Sequence, residues 1–377
     1  MNSESKTYKK EYSFNHFVSY LNQSIDEQRE RVVALLQADQ SSLDDILQKV
    51  LEDLSSSGDV EKFSINQYSA DELSRIQDED VPRYISHRYR YDMYPKKHLL
   101  DSYPPYVQIE PASVCNFRCV FCYQTDKEFT QNTSGHMGFM DLDLFKNIVD
   151  QIEGEVEFLS LASRGEPLLC KDIGEMLSYC KEKFLGLKLN TNASVLDKEL
   201  CHAILKGGVN TLVFSVDAAN AELFNEFRVN GDFESVYQNI KLFSQIKKEH
   251  YPESKLITRV SGVKYSDAQN MEEMMDVWSS LVDQISFVEY NPWENVYSIE
   301  ENDLSSPCSD LWRRMFIWHD GRVNPCDTDY KTTLSWANIK EKDVSEIWIS
   351  EGYSSLREQH LQSKRVQIEP CKRCKVI

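Results

Sequence analysis

Tyr106-Val107-Gln108-Ile109-Glu110, with Cys115-Asn116-Phe117-Arg118-Cys119-Val120-Phe121-Cys122 close behind it, is the stretch that decides the fold. The first run reads as a short strand, and the second places three cysteines as C-x₃-C-x₂-C on the loop after it. Three thiolates are one too few to close a tetrahedral zinc site. They are enough to hold three irons of a four-iron cluster, leaving the fourth iron open to a ligand that is not protein.

Outward from this stretch, strand and helix patterns alternate. Strands are expected at Tyr106–Glu110, Val156–Leu161, Leu187–Asn190, Thr211–Asp217, Leu256–Gly262 and Ile285–Tyr290. Helices are expected between them at Asp141–Ile152, Asp172–Phe184, Asp197–Lys206, Phe233–Lys247 and Asp267–Val282. Such alternation implies parallel strands with right-handed crossovers. Six units fall short of a complete eight-stranded barrel, so the expected class is α/β, a partial (β/α)6 TIM-type barrel with reactive residues on loops at the strands' C-terminal ends. The cysteine loop follows the first strand, at such an end.

Residues 1–100 read as a polar helical extension, with helical patterns beginning at Phe14 and Ser41, a break at Ser56-Ser57-Gly58 and no strand pattern. The barrel is assigned to 101–292. After Pro292 the alternation stops, and 293–377 form a cysteine-containing module with Gly and Pro turns.

The chain of 377 residues carries a net charge of −19, from 42 basic and 61 acidic residues. That argues against non-specific binding to nucleic acid or anionic lipid, while leaving room for a local basic patch. The opening MNSESKTYKKEYS has no apolar h-region, and no run approaches the ~18 apolar residues of a membrane span, so a cytoplasmic location is expected. Ten cysteines in such a chain point to metal or catalytic use rather than a disulfide framework. Cys308, Cys326, Cys371 and Cys374 form a second group. Cys170, Cys180 and Cys201 are scattered and read as small buried hydrophobes.

The C-x₃-C-x₂-C string, with Phe121 before its last cysteine, resembles the signature of the radical S-adenosylmethionine (SAM) superfamily. In that family the open iron chelates the methionine moiety, and reductive cleavage gives a 5′-deoxyadenosyl radical that abstracts hydrogen from substrate. The resemblance extends along the later strand ends. It implies that Phe121 packs beside the adenine, that Gly165-Glu166-Pro167 binds the methionine ammonium, and that Asn190 and Asn192 lie near the ribose. Ser215 and Arg228 would hold the methionine carboxylate, for which a guanidinium suits bidentate binding. Asp217 is placed beside Ser215, both facing the barrel interior.

Cys308-x₁₂-Gly321-x₄-Cys326 with Cys371-x₂-Cys374 resembles the auxiliary-cluster extensions called SPASM and twitch domains. The shorter, twitch-like form implies four thiolates around one fully ligated 4Fe–4S cluster, suited to electron transfer. A structural Cys₄ zinc site is the competing reading. Arg259 and Glu289 are the candidates for substrate contact, with an ion pair as the alternative for either.

The resemblance therefore implies two 4Fe–4S clusters, one binding SAM and one auxiliary, and an external reductant such as flavodoxin or ferredoxin. Hydrogen abstraction from a polar small molecule, of sugar or aminocyclitol type, is the first expectation, with the auxiliary cluster as electron acceptor. A peptide-modifying maturase is the alternative. A non-catalytic iron–sulfur electron-transfer protein is the alternative from another class.

Overall fold

Strands β2 (Tyr106–Ile109), β4 (Phe158–Leu161), β5 (Gly186–Thr191), β6 (Thr211–Ser215), β8 (Ile257–Lys264) and β9 (Gln284–Glu289) pair in that order, every neighbour parallel. These are the six expected strands, seen in a computed structural model that describes residues 16–56 and 61–377. Helices α5 (Leu142–Ile152), α6 (Ile173–Cys180), α7 (Lys198–Lys206), α9 (Phe233–His250) and α10 (Met271–Trp278) form the crossovers. Four of the five begin on a side-chain N-cap, from Asp141, Asp197, Asp232 and Asn270. Two short elements stand between β6 and α9, helix α8 (Ala221–Phe227) and strand β7 (Arg228–Val229).

Strand alternation sorts the side chains into two faces. Leu187 and Leu189 on β5 enter the apolar core beneath the helices, with Cys170, Cys180 and Cys201 as small members of that core. Lys188 and Asn190 face the other way, into the barrel interior, with Val213 and Ser215 of β6 and Arg259 and Ser261 of β8.

Both flanking segments join the same sheet. Strand β10 (Arg314–Ile317) runs parallel to β2 and is followed by β11 (Arg322–Asn324) and β12 (Ala337–Asn338). The C-terminal module then closes with helices α11 (Val344–Trp348) and α12 (Glu351–Leu361). At the opposite edge β1 (His16–Ser19) pairs antiparallel with β9. The helical pattern expected from Phe14 is therefore wrong over 16–19; the open edge of β9 captures this segment as a strand. Residues 1–15 and 57–60, including the expected break at Ser57-Gly58, lie outside the described residues.

The rest of the N-terminal region is helical: α1 (Ile25–Ala38), α2 (Asp45–Ser55), α3 (Gln67–Leu73) and α4 (Val81–Lys97). Their shared core includes Tyr84 and Ile85, and it continues into Tyr106 and Phe158, the first residues of β2 and β4. His87 stacks on Phe158 with ring centroids 4.1 Å apart. The polar helical extension thus covers the interior face of the open barrel.

Candidate active site

The loop after β2 carries Cys115, Cys119 and Cys122 to the C-terminal end of the sheet, and all three front one cavity of about 1040 Å³. A two-residue strand, β3 (Arg118–Cys119), pairs with β7 so that Cys119 stands opposite Arg228. Arg228 Nη1 lies 3.7 Å from Cys119 Sγ. Burial pushes the Cys115 thiol up to about 12, with Glu166 adding to the rise. A bound cation is what would hold such sulfurs as thiolates.

The loop after β4 forms the next wall. Gly165 packs against the cysteine loop so closely that a Cβ would meet Ala112 O at 2.5 Å and Val114 O closer still. Only glycine permits that approach. Ser163, just before it, has φ +137° and a buried hydroxyl without a partner, a strained residue on the cavity wall. Glu166 is buried, and its carboxylate accepts from Thr191 Oγ1 at 2.7 Å, Asn192 N at 2.7 Å and Leu168 N at 3.1 Å. Burial still raises its pKa above the usual carboxylate range. Pro167 is buried and opens the short turn Pro167–Leu169. It shapes the loop without lining the cavity.

Asn192 ties two walls together, donating through Nδ2 to Asn116 Oδ1 at 3.0 Å and lying 3.9 Å from Cys115 Sγ. Asn190 lines the cavity with its buried Oδ1 unpartnered. Phe121 packs against Tyr265 and Phe227, and its carbonyl accepts from Trp293 Nε1 at 2.8 Å.

Two expected placements need correction. Ser215 lines the cavity, but the partner of Arg228 is Asp217, whose Oδ2 lies 2.6 Å from Arg228 Nε. Strand β6 ends at Ser215, so Asp217 leaves the interior and is buried behind Arg228, accepting also from Val263 N at 2.7 Å. Asp217 therefore orients the guanidinium rather than facing a ligand. Glu289 is not in the cavity. Strand alternation aims Val288 inward and Glu289 outward, where the side chain is 54% exposed and 3.6 Å from His16. Arg259 does face the cavity; its Nε and Nη2 donate to Gln284 Oε1 at 2.9 and 2.6 Å, and its guanidinium lies over the Tyr68 ring.

In the C-terminal module, Cys308 and Cys374 lie near enough to Cys371 to act on its charge. Burial raises the Cys371 thiol, and its neighbours Cys374 and Cys308 push it further. Cys326, after the Gly321 turn, accepts from Thr328 N at 3.2 Å. Among the described residues no three Cys, His, Asp or Glu side chains are gathered as ligands of a single ion.

Lys188 escaped the sequence reading although it lines the cavity. The signal was present: a lysine between Leu187 and Leu189 on a strand whose next inward residue is Asn190.

A partial parallel barrel with an open three-cysteine loop, followed by a second cysteine group, is the arrangement of an iron–sulfur enzyme. The family model of the radical SAM superfamily matches residues 109–276, and that of an iron–sulfur cluster-binding domain, SPASM, matches 308–375. The chain belongs to the radical SAM superfamily and carries the auxiliary-cluster domain behind the core; its cofactors are SAM and 4Fe–4S clusters. Membership of this enzyme family sets aside the non-catalytic electron carrier.

The chain is 24% identical over 300 residues to the tungsten-containing aldehyde ferredoxin oxidoreductase cofactor-modifying protein of Pyrococcus furiosus, covering 67% of this chain and 83% of that one. It is 20% identical over 273 residues to the S-adenosyl-L-methionine-dependent 2-deoxy-scyllo-inosamine dehydrogenase of Niallia circulans, covering 71% and 91%. The structure of Streptococcus suis SuiB bound to precursor peptide SuiA superposes with TM-score 0.58 at 16% identity, over 93% of this chain and 92% of that one. No helix of the described residues is long and apolar enough to cross a membrane.

Proposed function

We propose that this enzyme abstracts hydrogen from a polar small molecule of sugar or aminocyclitol type, held in the cavity between the cysteine loop and the N-terminal helices. The observation that carries this reading is the cavity itself. It runs from the three cysteines into the polar barrel interior and is walled on its far side by Tyr68, His87 and Arg88 of α3 and α4. About 1040 Å³ must hold the cluster and SAM as well as the substrate, which favours a compact substrate.

In this reading Cys115, Cys119 and Cys122 hold the SAM-binding cluster. When bound, the cluster and SAM supply a 5′-deoxyadenosyl radical by one-electron reductive cleavage. Glu166, preset by its three donors, faces the methionine ammonium. Arg228, held by Asp217, faces the carboxylate with Ser215. Asn190 and Asn192 offer polar groups to the ribose, and Phe121 an apolar face to the adenine. Gly165 lets the backbone approach closely, and Pro167 shapes the loop that carries Glu166. Arg259 contacts the substrate; Glu289, on the outer face, does not. Cys308, Cys326, Cys371 and Cys374 hold the auxiliary cluster, which accepts the electron left on the substrate; flavodoxin or ferredoxin serves as external reductant. The parts are assigned as 1–100, 101–292 and 293–377, and the compartment as the cytoplasm.

A peptide-modifying role is the second reading. It is favoured by the superposition on SuiB, which takes in the N-terminal region as well as the core.

The test is anaerobic. Reconstituted protein should release 5′-deoxyadenosine from SAM on reduction, and replacing Cys115, Cys119 and Cys122 by Ala should abolish release while leaving about four irons per chain. Continued release from the triple variant would sink the assignment. Product analysis with an aminocyclitol and with a precursor-type peptide then separates the two readings.

A further inference from the structure

The C-terminal module lends the cavity a carboxylate. In Cys326-Asp327-Thr328-Asp329 the two acids have different surroundings. Asp329 is fully buried, and its carboxylate accepts from the Tyr297 hydroxyl, from Thr333 N at 3.0 Å and Oγ1 at 2.8 Å, and from Leu334 N at 2.8 Å. Asn324 Nδ2 donates to the carbonyls of both Cys326 and Asp329. The turn is thereby fixed without using Asp327. That residue lines the cavity and makes no hydrogen bond or ion pair with the described residues.

The neighbouring charges are engaged elsewhere. Glu166 has its three donors, and Asp92 pairs with Arg88 at 2.8 Å. Arg164 gives Nε and Nη2 to Glu110 and Nη1 to the Tyr330 carbonyl at 3.0 Å. Lys331 meets Asp126 at 2.8 Å and Glu128 at 3.0 Å, and Arg228 is held by Asp217.

A second orphan belongs to the same corner. Tyr123, which lies near enough to Asp327 to feel its charge, donates its hydroxyl to Ser163 O at 3.0 Å. Ser163 is the strained residue of the cavity wall, and its buried hydroxyl has no partner. Strain of this kind persists where the surroundings hold it. Here Tyr123 holds one side, and Glu110 holds the other by accepting from Arg164 N at 3.2 Å. A buried hydroxyl left unpaired is costly, and a bound ligand can complete it.

We propose that the substrate carries an amine, whose ammonium is bound by the Asp327 carboxylate with Ser163 Oγ accepting a further hydrogen bond. An ammonium has donors and no acceptor, so a carboxylate beside a hydroxyl oxygen suits it. The amine end then lies on the auxiliary-module side of the cavity, next to Cys326. This inference rests on the reading of the cavity as the reaction chamber for a small molecule, and it selects the aminated member of that class.

The experiment is anaerobic calorimetric titration of the reconstituted full chain, with SAM present and no reductant. The probes are scyllo-inosamine, an aminocyclitol, and scyllo-inositol, which carries a hydroxyl in place of the amine. The wild type should bind the amine about tenfold or more tightly than the hydroxyl analogue, the scale of a charged hydrogen bond. Asp327→Asn should remove most of that preference while leaving the affinity for scyllo-inositol and the iron content unchanged. Equal affinities in the wild type, no binding of scyllo-inosamine, or a preference that survives in Asp327→Asn overturns the proposal. So does an equal loss for both probes in that variant, which is what a merely structural Asp327 would give. If Asp327→Asn does not keep its clusters, Asp327→Glu decides beside the wild type: it retains the charge, and loss of the preference with clusters intact overturns the proposal. Binding of scyllo-inositol alone refutes the amine and leaves the small-molecule reading standing. Without reductant no SAM is cleaved, so failure of the cleavage test leaves this titration readable.

Discussion

Glu110 is fully buried at the end of β2, between Arg164 and His319. Arg164 meets it through Nε and Nη2, both at 2.7 Å, and His319 Nδ1 lies 3.1 Å away. Burial alone would raise the Glu110 pKa, but Arg164 and His319 outweigh it and bring the carboxyl to about 2, below its ordinary 4.5. A carboxyl lowered in the folded state stabilises above its unfolded pKa. That contribution should disappear as pH falls from about 4.5 toward 2. Glu110→Gln leaves Arg164 buried without its counter-charge and should cost about 3–5 kcal/mol at neutral pH. Melting temperatures of both proteins, measured side by side from pH 7 to 3, check this, since acid loss of clusters is common to both. If the gap between them does not narrow toward low pH, the pair is not what stabilises this junction. The sequence showed Arg164 only as the neighbour of Gly165; nothing in it linked Arg164 to Glu110, because the two meet through adjacent strand ends.

The loop elements show why some of the site was legible and some was not. Cys115, Gly165, Glu166 and Asn192 follow the C-terminal ends of successive strands, so strand period placed their loops at one end of the sheet, and the resemblance to the radical SAM superfamily added Arg228 to them. The β3–β7 ribbon that fixes Arg228 beside Cys119 was invisible, since two-residue strands have no period to read. Asp217 was misplaced for a related reason: alternation predicts a face only while the strand lasts, and β6 ends at Ser215. Gly165→Ala tests the packing of these loops directly. Its Cβ would collide with the carbonyls of Ala112 and Val114 on the cysteine loop. Equilibrium binding should show SAM affinity reduced about tenfold, the scale of an overpacked contact. Unchanged affinity would mean that the two loops do not depend on this close approach.

At the scale of the whole molecule, one ten-stranded sheet runs from β1 through the six barrel strands to β12. The N-terminal helices cover its interior face through Tyr84, His87, Tyr106 and Phe158. Asp71 of α3 accepts from Gln284 Nε2 at 2.6 Å, joining that cover to the last barrel strand. Removing residues 1–100 should therefore leave an unstable, poorly soluble core, because it strips the cover from Phe158 and opens the cavity to water. Thermal melts of the truncated and full chains check this. A truncated chain that melts cooperatively within about 5 °C of the full one would make the N-terminal region an appendage after all.

The sequence by itself determined the α/β class, the six-strand order, the two cysteine groups and the family, because these depend on local period and on spacing along the chain. Tertiary structure decided which carboxylate meets Arg228, that Glu289 faces outward, that an N-terminal strand extends the sheet and that Lys188 shares a cavity with Arg259 and Arg314. Each of these is a contact between residues far apart in the chain, set by where a strand ends and what packs across the barrel, and no local pattern encodes it.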